Sequence, residues 1–263
     1  MHSARRLEYL QAIGIDVWVP RPGTAAAALM PASNALPAVE PPAVEPSVVA
    51  TPAPEAPAIA TPVGAAPAES EELEEQWEPL RAEVLGCTKC SLHTTRTQGV
   101  FGVGNRRADW LVIGEAPGAE EDQQGEPFVG RAGQLLNQML RAIGLQRESV
   151  FIANVLKCRP PNNRDPKPDE VAACMPYLMR QIALLRPRLI LAVGRIAAQN
   201  LLATDVSLAR LRGQVHTFGE LNTPLIVTYH PAYLLRTPAD KRKAWEDLKF
   251  ARTVFRRLAS QES

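Results

Sequence analysis

Trp110-Leu111-Val112-Ile113-Gly114-Glu115-Ala116-Pro117-Gly118 is an apolar run that ends abruptly in a turn. Four bulky apolar residues in succession leave no polar face, so the run reads as a strand covered on both sides. The same grammar recurs downstream. Val150-Phe151-Ile152-Ala153 leads into Asn154, Leu189-Ile190-Leu191-Ala192-Val193 into Gly194, and Leu225-Ile226-Val227-Thr228 into Tyr229 and His230. Stretches of helical period lie between them, over residues 133–143, 169–185 and 194–202, the second with Pro168 near its start. A further basic helix is expected over residues 240–258. Apolar strands separated by helices predict an α/β fold, with a central parallel sheet in a three-layer α/β/α arrangement.

Folds of this class place their sites at the carboxyl ends of the strands. Glu115, Asn154 and His230 each stand just past one of the four strand ends, so they are expected to converge on one rim. Taken singly, an Asn at a strand end is an ordinary cap and a His before Pro an ordinary structural residue. Their coincidence on three strand ends points to a site. Other chemistries lack support: the chain has no Walker motif, no G-x-G-x-x-G and no H-E-x-x-H. No serine sits in a nucleophile elbow either.

The chain holds four cysteines. Cys87 and Cys90 form a C-x-x-C; Cys158 sits in Lys157-Cys158-Arg159-Pro160-Pro161, and Cys174 follows in the helical stretch. Four thiolates from two separated pairs can close one tetrahedral zinc shell or one iron–sulfur cubane, and spacing alone does not choose between them. With no apolar leader at its start, the chain is expected in the cytoplasm, where disulfides are disfavoured. No apolar run is long enough to span a membrane.

The net charge of +1 hides a segregation. Residues 24–76 carry eight Glu and no Lys or Arg, whereas residues 77–263 carry 26 basic against 18 acidic side chains. A surplus of +8 on the folded part suits a polyanion such as nucleic acid. Half of the 24 prolines fall between Pro20 and Pro67, so residues 24–70 read as a Pro/Ala/Glu linker with too little apolar surface to offset its ordering entropy. Residues 1–23 form a short apolar island with Tyr9 and Trp18, too small to bury itself and so expected to dock elsewhere. Residues 71–263, which hold the strand and helix pattern, are expected to fold as the main domain.

Gly114-Glu115-Ala116-Pro117-Gly118, Pro127-Phe128-Val129-Gly130, residues 154–164 and His230-Pro231-Ala232-Tyr233-Leu234-Leu235 together resemble the motifs of the family 4 uracil-DNA glycosylases. The resemblance covers about residues 77–258 and includes all four cysteines. It implies a glycosylase that excises uracil from DNA, with a 4Fe-4S cluster of structural role on Cys87, Cys90, Cys158 and Cys174. It further implies that Phe128 stacks on the flipped uracil, that Asn154 reads its N3–H and O4 edge, and that His230 bonds O2 as the base departs. Glu121 would crowd C5, where thymine carries a methyl group. Glu115 is the candidate to orient water, because Ala116 stands where other branches of the superfamily place an Asp. Ala116 and Gly118 would line the pocket, while Leu234, Leu235 and Arg236 would supply an apolar wedge and a phosphate contact.

The island over residues 1–23 is similar to the N-terminal peptide of the bacterial clamp-loader psi subunit, which implies docking on the chi subunit. The catalytic domain itself is expected to be a monomer acting on uracil-containing DNA. One rival is a replisome-associated subunit that keeps the glycosylase fold as a scaffold. Asn154, His230 and Phe128 argue against it, since a retired site has no need of that combination. Another rival is a glycosylase with a different base preference.

Overall fold

The computed structural model describes residues 75–260. The docking peptide expected over 1–23 and the linker expected over 24–70 lie outside the described residues. Six strands form one sheet: β1 Val103–Gly104, β2 Trp110–Gly114, β3 Phe151–Asn154, β4 Leu189–Val193, β5 His216–Phe218 and β6 Thr223–Thr228, in the order β1-β3-β2-β4-β6-β5. The helices are α1 Trp77–Leu85, α2 Ala119–Gln124, α3 Arg131–Ala142, α4 Pro168–Leu185, α5 Arg195–Leu201, α6 Leu208–Leu211, α7 Pro231–Arg236 and α8 Lys241–Ser260.

Alternation along each strand builds two cores. Leu111 and Ile113 of β2 pack on one face with Trp77, Leu80 and Val84 of α1 and Leu178 and Ile182 of α4. Trp110 and Val112 pack on the other with Leu136 and Leu140 of α3 and Leu248 and Ala251 of α8. This is the expected three-layer α/β/α arrangement, and it explains why the central strands carry no polar face. Burial of each such Leu or Ile contributes about 1.5–3 kcal/mol, so the central strands hold the layers together. Proline at the first position of α4 fixes that helix start, and Glu170 two residues on accepts a hydrogen bond from the Lys167 backbone N–H at 2.8 Å.

The expected central parallel sheet is present, flanked by two short edge strands of opposite sense. The four central strands β3, β2, β4 and β6 are parallel, but β1 pairs antiparallel with β3 and β5 antiparallel with β6, so the sheet is mixed. Both edge strands are too short and too exposed to leave an apolar run in the sequence. Gly104 joins the edge only because it lacks a side chain. It sits at φ +119°, and a Cβ there would fall 1.9 Å from the Val150 carbonyl oxygen. Parallel pairing brings the strand ends level, with Gly114 opposite Asn154 and Val193 opposite Thr228.

Candidate active site and metal centre

The rim expected at the strand ends is present. Asn154 closes β3 and is only 2% exposed; its side-chain Oδ1 is buried with no hydrogen-bond partner among the described residues. An unpaired buried acceptor costs about 1–3 kcal/mol, which marks it as a group awaiting a donor. Across the ladder, Gly114 leaves room for it. A Cβ on Gly114 would lie 2.5 Å from Asn154 Oδ1 and 2.6 Å from Phe128 Cζ. One amide and one aromatic ring therefore meet over a residue that must have no side chain.

Phe128 is held there against its own preference. Its φ is +54°, a left-handed conformation that a bulky residue rarely adopts. Two side chains hold it in place. Arg147 donates from Nη1 to the Phe128 carbonyl at 3.2 Å and from Nη2 to the Pro127 carbonyl at 2.7 Å. Glu121 accepts at Oε1 from the Val129 and Gly130 N–H groups at 3.0 and 3.1 Å, and at Oε2 from the Gly118 N–H at 3.0 Å. Glu121 thus ties the turn after β2 to the turn that carries Phe128, and Gly118 lies against its carboxylate.

His230 caps α7, and its ring centroid lies 5.6 Å from that of Phe128. Its Nδ1 accepts from the Ala232 N–H at 3.1 Å, which leaves Nε2 as the protonated nitrogen of a neutral ring. Burial, followed by the charge of Arg236, pulls its pKa down to about 4. The close fit again needs a glycine: Gly194, at φ +103°, would bring a Cβ within 2.9 Å of His230 Cβ. Asn154, Phe128 and His230 are accordingly brought together as expected.

Glu115 stands on the same rim but answers to a different pair. Burial, and then Asp165, raise its carboxyl to about 7, with Arg195 opposing them. Arg195 Nη2 itself bonds Asp165 Oδ2 at 2.6 Å. Ala116 packs against the α1/α4 core. The two leucines of α7 part company: Leu234 is 1% exposed and sits in the α3/α8 core, whereas Leu235 is 36% exposed. Arg236 is exposed beside it.

All four cysteines gather on the α1/α4 face of the sheet, Cys158 and Cys174 buried and Cys87 and Cys90 packed against them. Burial first, then Cys158 and Cys90 as neighbours, push the Cys174 thiol up to about 11. Burial likewise raises Cys158, with Cys90 and Cys87 among its neighbours. Backbone and guanidinium N–H groups point at three of the sulfurs: Arg96 Nη1 to Cys158 at 3.0 Å, Lys157 N to Cys174 at 3.2 Å and Lys89 N to Cys87 at 3.5 Å. Among the described residues no three ligating side chains are already drawn into a ready-made metal site. The donor set nevertheless fits a soft metal centre: four sulfurs, N–H donors aimed at thiolates, and an apolar surround. Such a centre must displace the protons that burial holds on Cys158 and Cys174.

Three contributors escaped the sequence reading. Arg147 left no signal, because it acts on backbone carbonyls. Gly114 was read as a turn residue rather than as the floor of the pocket. Lys157 carried a signal that could have been used: a lone cation directly after the apolar Val155-Leu156, three residues past Asn154.

The strand ends of a mixed sheet thus bring together a buried amide, an aromatic ring and a neutral imidazole. The Uracil DNA glycosylase superfamily matches residues 101–249, and the chain belongs to that superfamily. Within it the chain falls with the type-4 enzymes. It is 48% identical over 173 residues to the type-4 uracil-DNA glycosylase of Archaeoglobus fulgidus, a match covering 64% of this chain and 87% of that protein. The type-4 uracil-DNA glycosylase of Thermotoga maritima is 43% identical over 188 residues, covering 70% of this chain and 97% of that protein. The type-5 uracil-DNA glycosylase of Thermus thermophilus is 34% identical over 119 residues, 40% of this chain and 54% of that protein.

Proposed function

We propose that this chain is a repair glycosylase that flips uracil out of DNA and hydrolyses its N-glycosidic bond, leaving an abasic site. The observation that carries the reading is the unpartnered Asn154 Oδ1 facing Phe128 across Gly114. Uracil N3–H donates to that oxygen, and the amide nitrogen donates to O4. Cytosine presents an N3 acceptor and an amino donor there, so each polar group would face its like. Phe128 supplies the apolar face against which the base lies.

Cleavage of the C1′–N bond passes through an oxocarbenium-like sugar, and negative charge develops on the departing base. His230, neutral and donating from Nε2, bonds uracil O2 as that charge appears. Glu115 orients the attacking water and accepts its proton, a role suited to a carboxyl raised to about 7. Glu121 crowds C5 against the thymine methyl while bracing the Phe128 turn. Leu235 enters the vacated stack and Arg236 meets a phosphate, whereas Leu234 fills the core.

Cys87, Cys90, Cys158 and Cys174 hold a 4Fe-4S cluster whose service is to tie α4 and two loops together, since glycosidic cleavage moves no electrons between substrates. Residues 71–263 form the catalytic domain, a monomer at work in the cytoplasm. Residues 1–23, joined to it by the linker 24–70, dock on the clamp-loader chi subunit. No helix among the described residues is long and apolar enough to cross a membrane.

Incubation of the purified protein with a uracil-containing oligonucleotide and a thymine control, followed by alkali, tests the reading. Strand scission at uracil alone is expected; an intact uracil strand overturns it.

A further inference from the structure

Lys157 is 1% exposed. Its ammonium donates to two neutral acceptors, the Asn154 backbone carbonyl at 2.8 Å and Gln181 Oε1 at 2.6 Å. Gln181 is itself fixed by donating from Nε2 to the Phe101 carbonyl at 2.9 Å. Among the described residues no carboxylate bonds this ammonium; the neighbour whose ionisation would favour its charged form is the Cys174 thiol. A buried ammonium with only neutral partners is a costly arrangement that folded chains seldom keep. The same residue's backbone N–H points at Cys174 Sγ, and the next residue is Cys158.

We propose that Lys157 is the counter-cation of the thiolate-bound cluster and the positioning residue that couples it to the base-reading Asn154. Four thiolates give the bound centre a net negative charge, and that charge is the anion that Lys157 otherwise lacks. Because the same ammonium holds the Asn154 carbonyl, the cofactor and the recognition edge share one cation. Outer partners of this kind set both the affinity and the potential of a metal centre. The inference rests on the cluster reading given above.

The test uses the full chain purified anaerobically, as wild type, Lys157→Gln, Lys157→Met and Gln181→Glu. Lys157→Gln keeps a hydrogen-bonding end without charge. Gln181→Glu leaves the lysine in place and gives it a carboxylate of nearly identical shape, so it serves even where the lysine variants fold poorly. Loss of iron to a ferrous chelator should quicken by about tenfold or more in both lysine variants. The midpoint potential, followed by electron paramagnetic resonance, should move to more negative values in all three variants, because each removes or cancels a positive charge near the centre. Gln181→Glu gives up the hydrogen bond to the Phe101 carbonyl, so each protein is compared with its own loaded form: on chelation Gln181→Glu should lose less melting temperature than the wild type, since its carboxylate replaces the missing anion. Unchanged potentials in iron-loaded variants, or a Gln181→Glu that loses as much melting temperature on chelation as the wild type, overturn the counter-cation role while leaving the cluster reading intact. Wild-type protein that contains no iron removes both, and is told apart because the variants are then never compared with a loaded parent.

Discussion

Gly114 and Asn154 are direct partners in the parallel ladder between β2 and β3, and the missing Cβ of the first makes room for the amide of the second. Neither residue alone makes a pocket. The pairing places a polar edge at a strand end, and the glycine keeps it open toward Phe128.

Gly114→Ala should therefore behave as a recognition mutant rather than a folding mutant. Its methyl would sit 2.5 Å from Asn154 Oδ1, a contact relieved only by displacing the amide or the ring. The expected loss in kcat/KM on uracil DNA is roughly 10²-fold, the usual cost of about 1 Å of misplacement. Retained iron and an unchanged melting temperature would separate this from misfolding.

Neutrality of His230 sets a pH signature. With its pKa lowered from 6.5 to about 4, His230 should add no break of its own to the single-turnover rate near pH 6.5, and only a further fall near pH 4 below the Glu115 dependence. The folded state binds fewer protons than the unfolded state between those values, so His230 contributes stability above pH 6.5 that is lost as pH falls toward 4. His230→Ala should abolish that slope and lower the rate by about 10²–10³, as for loss of one oxyanion-type donor.

Glu115 runs the other way. Its carboxyl is raised from 4.5 to about 7, so between those values the folded state holds a proton that the unfolded state has released. The Glu115 contribution to stability should fall as pH rises across that window, opposing the His230 slope, and Glu115→Gln should leave the His230 slope exposed. Activity should climb toward and through pH 7 as the water-orienting form ionises. A Glu115→Gln enzyme with the wild-type rate at pH 8 would remove the residue from the chemistry.

The two leucines of α7 make opposite predictions. Leu234→Ala should cost about 2–5 kcal/mol by leaving a cavity in the α3/α8 core, read by denaturant unfolding. Leu235→Ala should leave stability nearly unchanged and depress excision from double-stranded DNA more than from single strands, where no stack needs to be filled.

Phe128 offers a test of its supports. Arg147→Met removes both donors to the Phe128 and Pro127 carbonyls and should raise KM for uracil DNA while preserving the cysteine centre on the opposite face of the sheet. Equal KM values would mean that the Glu121 carboxylate suffices.

Strand-end residues were legible because both-sides burial writes itself as an unbroken apolar run. Asn154 and His230 could be placed on one rim from that signal alone. Phe128 came from motif resemblance; its left-handed backbone and its two supports are set by side chains reaching in from 19 residues downstream and seven upstream. The β1 and β5 edges were missed because two or three half-exposed residues carry no period. Leu234 and Leu235 are adjacent and chemically identical, so only packing decides which one turns inward. Arg147 bonds backbone carbonyls, which exist at every position and leave no pattern to read.

The docking of α1 onto α4 has a consequence for the order of assembly. Trp77, Cys87 and Cys90 leave the ribosome well before their partners on α4, and Cys174 lies 84 residues beyond Cys90. At translation speeds of about 5–20 residues per second, the first pair of thiols waits roughly 4–17 seconds for the last. During that interval β1, β2 and β3 emerge, but the fourth sulfur is not yet available. Any group that needs all four sulfurs is therefore taken up only after the central strands that cover Trp77 have been made. Of the four thiols, the C-x-x-C pair waits longest in the nascent chain.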